Sequence, residues 1–174
     1  MSYETLHSES VYHGRAFDVR RDEIRLPDGK TARLDIIDHV GAVTLVPVDE
    51  QNRVWLVRQY RHAAGEVLLE LPAGTVEPGE PPLECARREI REEIGMAAGR
   101  IELIGQYFLA PGYSTEFMHV FLATDLHPDP LEGDADEFLS AEAIPLEEVL
   151  RMAESGKIRD AKTLASLMLA KRHL

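Results

Sequence analysis

One cysteine, one tryptophan and 6% aromatic residues in a chain of 174 are scarcities that each argue against a class of protein. The lone Cys85 cannot form an internal disulfide, which argues against a stapled secreted scaffold and for a reduced, cytoplasmic setting. No uncharged apolar run approaches the roughly 20 residues that span a bilayer, so no membrane partner is expected. The start, Met-Ser-Tyr-Glu-Thr-Leu-His, has no basic stretch ahead of an apolar one, and no signal peptide is read there. Positive charge is short as well: 19 Lys+Arg face 31 Asp+Glu, a formal net charge of -12. Nucleic acid is therefore not an expected partner, because basic surface supplies most of that affinity. The 7 histidines are scattered without paired-ligand spacing, so a His-built zinc site is not expected either.

What remains is globular usage, 44% apolar and 29% charged, in a length that suits one ordinary domain with a small appendage. The acidity poses a problem for any phosphate-bearing substrate, unless arginines or metal ions reverse the field locally. Residues Phe17 to Leu26 and Thr31 to Asp38 read as strands around the turn Pro27-Asp28-Gly29-Lys30. A hairpin of this kind is marginal alone and should pack on the rest of the chain or on a second copy. Strands are expected at Val40 to Val48, Arg53 to Gln59, Val67 to Leu71, Leu103 to Ala110 and Phe117 to Thr124. A further short strand follows the acidic loop Leu131 to Glu137. Helices are expected at about Pro82 to Ile94, Leu146 to Glu154 and Ala161 to His173. Mixed strands with a few helices imply an α/β or α+β sandwich.

The chemistry is concentrated in Gly74-Thr75-Val76-Glu77-Pro78-Gly79-Glu80, then seven residues, then Arg88-Glu89-Ile90-Arg91-Glu92-Glu93-Ile94-Gly95-Met96. At about 100° per residue, Leu83, Ala86, Ile90 and Ile94 share one sector, the expected buried face. Cys85 falls clearly on neither that stripe nor the carboxylate face, and no reactivity is assigned to it. Glu89, Glu92 and Glu93 are related by i, i+3 and i+4 and share another face. One acidic residue there is most simply a solvated surface group; three clustered carboxylates repel unless a cation sits among them. Hard divalent ions take oxygen ligands and sit between carboxylates and substrate phosphates.

This stretch resembles the Nudix box, G-x5-E-x7-R-E-U-x-E-E-x-G-U with U aliphatic, and every fixed position is filled. Met96, unbranched, is a mild variation in the last slot. The resemblance implies an α/β fold, the Nudix α/β/α sandwich with a mixed sheet, and hydrolysis of a nucleoside diphosphate linked to another moiety. It implies Mg2+, or Mn2+, held by Glu89, Glu93, Glu92 and the Ala73 carbonyl. Glu92 would alternatively orient water, and Arg88 would hold a glutamate by ion pairing.

The flanks resemble the ADP-ribose and nucleotide-sugar pyrophosphatase branch. They are Val57-Arg58-Gln59-Tyr60-Arg61, Glu70-Leu71-Pro72-Ala73-Gly74 and, 15 residues after Met96, Pro111 within Ala110-Pro111-Gly112-Tyr113-Ser114-Thr115-Glu116. The implied substrate is a small nucleotide sugar. Residues 1–39 would form a small antiparallel β region building a homodimer, and 40–174 the hydrolase domain. Arg61 would grip the diphosphate or terminal ribose, or stand as an edge-strand surface arginine. Arg58 reads as a structural or supporting partner at the substrate side. Tyr113 and Glu116 would lie at the site mouth, with packing an equal explanation. Tyr60 and Tyr113 are base-stacking candidates or rim aromatics, and Trp55 reads as core. Glu137 is the expected general base, with Asp134 and Asp136 as alternates in the same loop. A non-catalytic ligand sensor of this fold, or a hydrolase of GDP-mannose or dinucleoside polyphosphates, stays open at this point.

Overall fold

The structure, a computed structural model, describes residues 2–133 and 138–174. The chain divides into two compact units, 1–41 with 108–117, and 42–107 with 118–174.

In the first unit, β1 (Glu4–His13), β2 (Asp18–Arg25) and β3 (Thr31–Asp38) form an antiparallel sheet in that order. The expected hairpin is β2–β3, closed by the Leu26 N–H on the Lys30 carbonyl at 2.8 Å. The third strand, β1, escaped the sequence reading. Its apolar residues do not alternate strictly with polar ones, and all ten of its residues are exposed, so it carries no burial period to read. Cross-strand ion pairs lace the sheet: Arg25 with Glu4 at 3.1 Å and Arg21 with Asp35 at 2.8 Å. In the 108–117 segment, the Ile37 N–H donates to the Tyr113 carbonyl at 2.8 Å, and the Thr115 N–H to the Ile37 carbonyl at 3.0 Å.

The second unit holds β4 (Ala42–Pro47), β5 (Arg53–Arg61), β6 (Glu66–Glu70), β7 (Ala73–Thr75), α1 (Pro82–Ile94), β8 (Met96–Phe108), β9 (Phe117–Pro128), β10 (Leu139–Pro145), α2 (Leu146–Glu154) and α3 (Ala161–Ala170). One sheet runs β7-β4-β9-β8 and is mixed, with β4 parallel to β9 and antiparallel to β7. A second, antiparallel sheet runs β10-β5-β6.

Alternation along the strands sorts the core into two layers. Val43 and Leu45 of β4, Val57 of β5, and Phe121 and Ala123 of β9 pack with Cys85, Ala86, Ile90 and Ile94 of α1. Their neighbours Val46, Val54, Leu56, Val120 and Leu122 pack instead with Val149 of α2 and with Leu167 and Ala170 of α3. Helices thus cover both faces of the strands, the expected α/β/α arrangement. Trp55 is only partly buried; its Nε1 donates to Asp49 at 3.2 Å, which spares the indole an unpaired donor.

Candidate active site

The site is built on α1 and the segment that precedes it. Pro82 opens the helix after an extended Pro81, a position where a missing N–H costs nothing. Gly95 closes it at φ 70, a left-handed conformation that disfavours side chains, with its N–H on the Ile90 carbonyl. Ala86, Ile90 and Ile94 are buried as expected, but Leu83 is 37% exposed. It falls in the first turn, one turn before Ala86, where the helix is no longer covered. Cys85 is fully buried among the apolar side chains, which corrects its unassigned placement. It begins a second buried row at i, i+4 and i+8, Cys85, Glu89 and Glu93, beside the aliphatic one. Burial foremost, and the nearby negative charge of Glu89, push the Cys85 thiol far above its ordinary range and leave it inert.

Two glutamates in a buried row need partners, and the structure supplies them. The Ala73 N–H donates to Glu93 Oε2 at 2.9 Å, tying the helix to β7. Gly74 lies against Glu89 so closely that a β-carbon there would sit 1.9 Å from the carboxylate. The Arg88 guanidinium joins three carboxylates: Glu80 at 3.1 Å through Nε and Nη2, Glu89 at 2.5 Å and Glu92 at 2.8 Å through Nη1. Those hydrogen bonds, that to Glu80 first, raise the Arg88 pKa against the cost of its partial burial. Glu80 in turn accepts from the Glu77 N–H at 3.0 Å, which shapes the loop before the helix. Four glutamates with one arginine leave a formal excess of negative charge. Among the described residues no three metal-ligating side chains are already drawn round one point; the guanidinium stands among them.

Arg61, at the end of β5, forms a two-pronged pair with Glu70 through Nε at 2.8 Å and Nη2 at 2.7 Å. Glu70 is 1% exposed, whereas the Arg61 side chain remains 42% exposed. Lys162 of α3 also donates to Glu70 and reaches Asp160 at 2.9 Å. Glu70, Asp160 and Lys162 were not singled out from the sequence, although Asp160-Ala161-Lys162-Thr163 has the pattern of a capped helix start. Arg58 pairs with Glu142 across β5 and β10 at 2.6 Å, a sheet-bracing contact. Tyr60 is exposed, in register with Val67. Tyr113 and Glu116 belong to the first unit, where Tyr113 is exposed and the Glu116 N–H bonds the Ser114 hydroxyl at 3.1 Å. Asp134, Asp136 and Glu137 lie outside the described residues.

Residues 38–167 match the NUDIX domain, and residues 3–33 match the nucleoside diphosphate sugar hydrolase N-terminal domain. The chain belongs to the Nudix hydrolase family. Among its relatives are the ADP-ribose pyrophosphatase of Bacillus subtilis (strain 168), 35% identical over 92% of this chain and 88% of that protein. The ADP-ribose pyrophosphatase of Mycobacterium tuberculosis (strain ATCC 25618 / H37Rv) is 36% identical over 95% of this chain and 82% of its own. A crystal structure of an ADP compounds hydrolase superposes with a TM-score of 0.88 at 27% identity, covering 100% of this chain and 95% of that one. In this Nudix chain the box is therefore more than a string of matched letters. Its first glycine gives room to Glu89, and its arginine gathers that glutamate with two others, Glu80 and Glu92.

Proposed function

We propose that this protein hydrolyses the diphosphate of ADP-ribose, or of a related nucleotide sugar, to a nucleoside monophosphate and a sugar phosphate. The observation that supports it most is the assembly of Glu80, Glu89 and Glu92 about Arg88, beside Glu93 on the Ala73 amide. Relatives named for ADP-ribose hydrolysis extend over nearly the whole chain, which supports the choice of substrate.

The donor set fits a hard divalent cation, Mg2+ in the first place and Mn2+ in the second. It is all oxygen, and four carboxylates about one guanidinium carry excess negative charge. Glu89, Glu92, Glu93 and the Ala73 carbonyl would hold the metal, which when bound acidifies water and offsets charge developing on phosphoryl oxygens. The chain's own groups do the rest. Arg88 restrains the carboxylates against their mutual repulsion, and the Ala73 amide holds Glu93. Arg61 turns the part of its guanidinium not engaged by Glu70 toward the diphosphate, a match of fork to phosphate oxygens. Glu137 takes the proton of the attacking water as general base. Attack on one phosphorus expels the other phosphate, so ADP-ribose and water give AMP and ribose 5-phosphate.

Residues 1–39 form a dimerisation region and 40–174 the catalytic domain in this reading. Exposed Leu6, Val11 and Tyr12 of β1, with Tyr3 just before it, support a homodimer, since such apolar surface is normally covered. No described helix is long and apolar enough to cross a membrane, and the setting proposed is cytoplasmic. Release of AMP from ADP-ribose, with and without Mg2+, tests the activity. A panel with ADP-glucose, GDP-mannose and diadenosine polyphosphates tests the substrate, and light scattering tests the dimer. A wild-type protein inert toward every member of the panel would overturn the reading.

A further inference from the structure

Four consecutive residues leading into the site are held by four elements between them, β5, α3, β4 and α1. The Glu70 carboxylate is held by Arg61 of β5 and Lys162 of α3. The Leu71 N–H donates to Thr163 Oγ1 at 2.8 Å. The Pro72 carbonyl accepts from the Leu45 N–H at 2.9 Å and from Thr44 Oγ1 at 3.2 Å. The Ala73 N–H donates to Glu93 of α1 at 2.9 Å. Two of these four residues are thus fixed by the first turn of α3, far along the chain. That turn is itself capped: Asp160 Oδ2 accepts from the Thr163 N–H at 2.9 Å and its hydroxyl at 2.6 Å, and Lys162 Nζ lies 2.9 Å away. The Tyr107 hydroxyl donates to the Lys162 carbonyl at 3.0 Å, holding the turn from below.

The charges decide what this arrangement does. An arginine bound two-pronged to one carboxylate is a pair of no net charge, and Glu93 opposes it further from the α1 side. By itself such a pair attracts an anionic diphosphate poorly. Lys162, with its side chain 10% exposed, shares the same Glu70 carboxylate and returns a positive charge to the pair. Asp160, 2.9 Å from Lys162 Nζ, is the counterweight, its charge offset only in part by the Thr163 N–H and hydroxyl and the positive end of α3.

We propose that Lys162 is a positioning residue for substrate: by sharing Glu70 it lets Arg61 meet the diphosphate as a cation, and Asp160 sets how strongly. This rests on the reading that Arg61 grips the diphosphate. Lys162 touches neither substrate nor metal in this role. Its effect is on affinity, with the chemical step left alone.

The test uses the full-length protein, steady-state kinetics with ADP-ribose at saturating Mg2+, and calorimetric binding of a non-hydrolysable α,β-methylene analogue of ADP-ribose. Lys162→Met should raise both KM and Kd about tenfold while kcat stays within about twofold. Lys162→Arg should restore both. Asp160→Asn keeps the cap and removes a negative charge, so its Kd should fall, the opposite sign from Lys162→Met. In an Arg61→Ala background Lys162→Met should add little, because the two act through one contact. Unchanged KM and Kd in a folded Lys162→Met protein would overturn the inference, as would a full additional loss in the Arg61→Ala background. Should Lys162→Met not fold, Asp160→Asn decides alone: unchanged or weaker binding overturns the inference. An active wild type with these results refutes only the role of Lys162, whereas a wild type that neither binds nor cleaves any nucleotide sugar refutes the functional reading and this inference with it.

Discussion

Gly74 and Glu89 share a space that only a hydrogen atom allows: a β-carbon on Gly74 would lie 1.9 Å from both the carboxyl carbon and Oε1 of Glu89. The glycine is required here for room, since its φ is not among the positive ones. Glu89 is itself buried and bonded to Arg88, so a displaced carboxylate must break that bond or leave the row. Gly74→Ala is therefore expected to lower kcat/KM by about 10²-fold, the scale of a misplaced catalytic group, with a stability loss of about 1–3 kcal/mol from overpacking. Initial rates and thermal melts check both. Unaltered turnover would show that Glu89 does not need its present position.

Glu93→Gln keeps an oxygen for the Ala73 amide and removes the charge. The fold should survive, because the hydrogen bond to β7 can be kept. Turnover of ADP-ribose should fall by roughly 10²-fold or more if a divalent ion depends on this carboxylate. Turnover near wild type at saturating Mg2+ would remove Glu93 from the metal set.

Arg88→Lys preserves one charge and loses the fork. A single ammonium cannot bond Glu80 twice and Glu89 and Glu92 together, as the guanidinium does. The variant is expected to need more Mg2+ for half-maximal activity, by roughly 10-fold, the scale for groups that orient metal ligands. A metal titration of initial rate reads this directly, and an unshifted midpoint would count against the restraint assigned to Arg88.

Glu70 links the site to pH. Its burial works against ionisation, yet the hydrogen bond from Arg61 and the charge and hydrogen bond of Lys162 more than offset it and hold the carboxyl below its ordinary value of 4.5. A carboxyl depressed on folding contributes stability that is present above the unfolded value, about 4.5, and is lost as pH falls toward the folded value. The thermal midpoint of the wild type should therefore drop below about pH 4.5 partly through this group. Glu70→Gln leaves Arg61 and Lys162 without their shared anion and should cost about 3–5 kcal/mol at neutral pH, while flattening the acid limb. Parallel acid limbs in the two proteins would sink the assignment.

Much of this was legible beforehand where a local period or a spaced motif spoke. Helix α1 was readable from Pro82 to Ile94 because proline opens it, glycine closes it and the aliphatic row repeats between. The strands of the second unit were readable from their β-branched runs, apart from the three-residue β7, too short to carry a period, and β8, which starts at Met96. Leu83 failed as a core residue because angle on a helix says nothing about where the covering strands end. Cys85 escaped assignment because a second buried row, occupied by glutamates, does not look apolar in sequence. Glu70 and Lys162 escaped because 92 residues separate them.

By itself the sequence determined the family of chemistry: the spacing of Glu80, Arg88, Glu89, Glu92 and Glu93 is a helical and loop spacing, and local geometry converts it directly into a shared face. Only the tertiary structure decided which partners those groups have. Arg88 bridges three carboxylates, Gly74 yields its side-chain space to Glu89, and α3 reaches back to hold Glu70 and Leu71. Such contacts join residues far apart along the chain, and they follow from how α1, β5 and α3 pack on the sheets. No local periodicity encodes that.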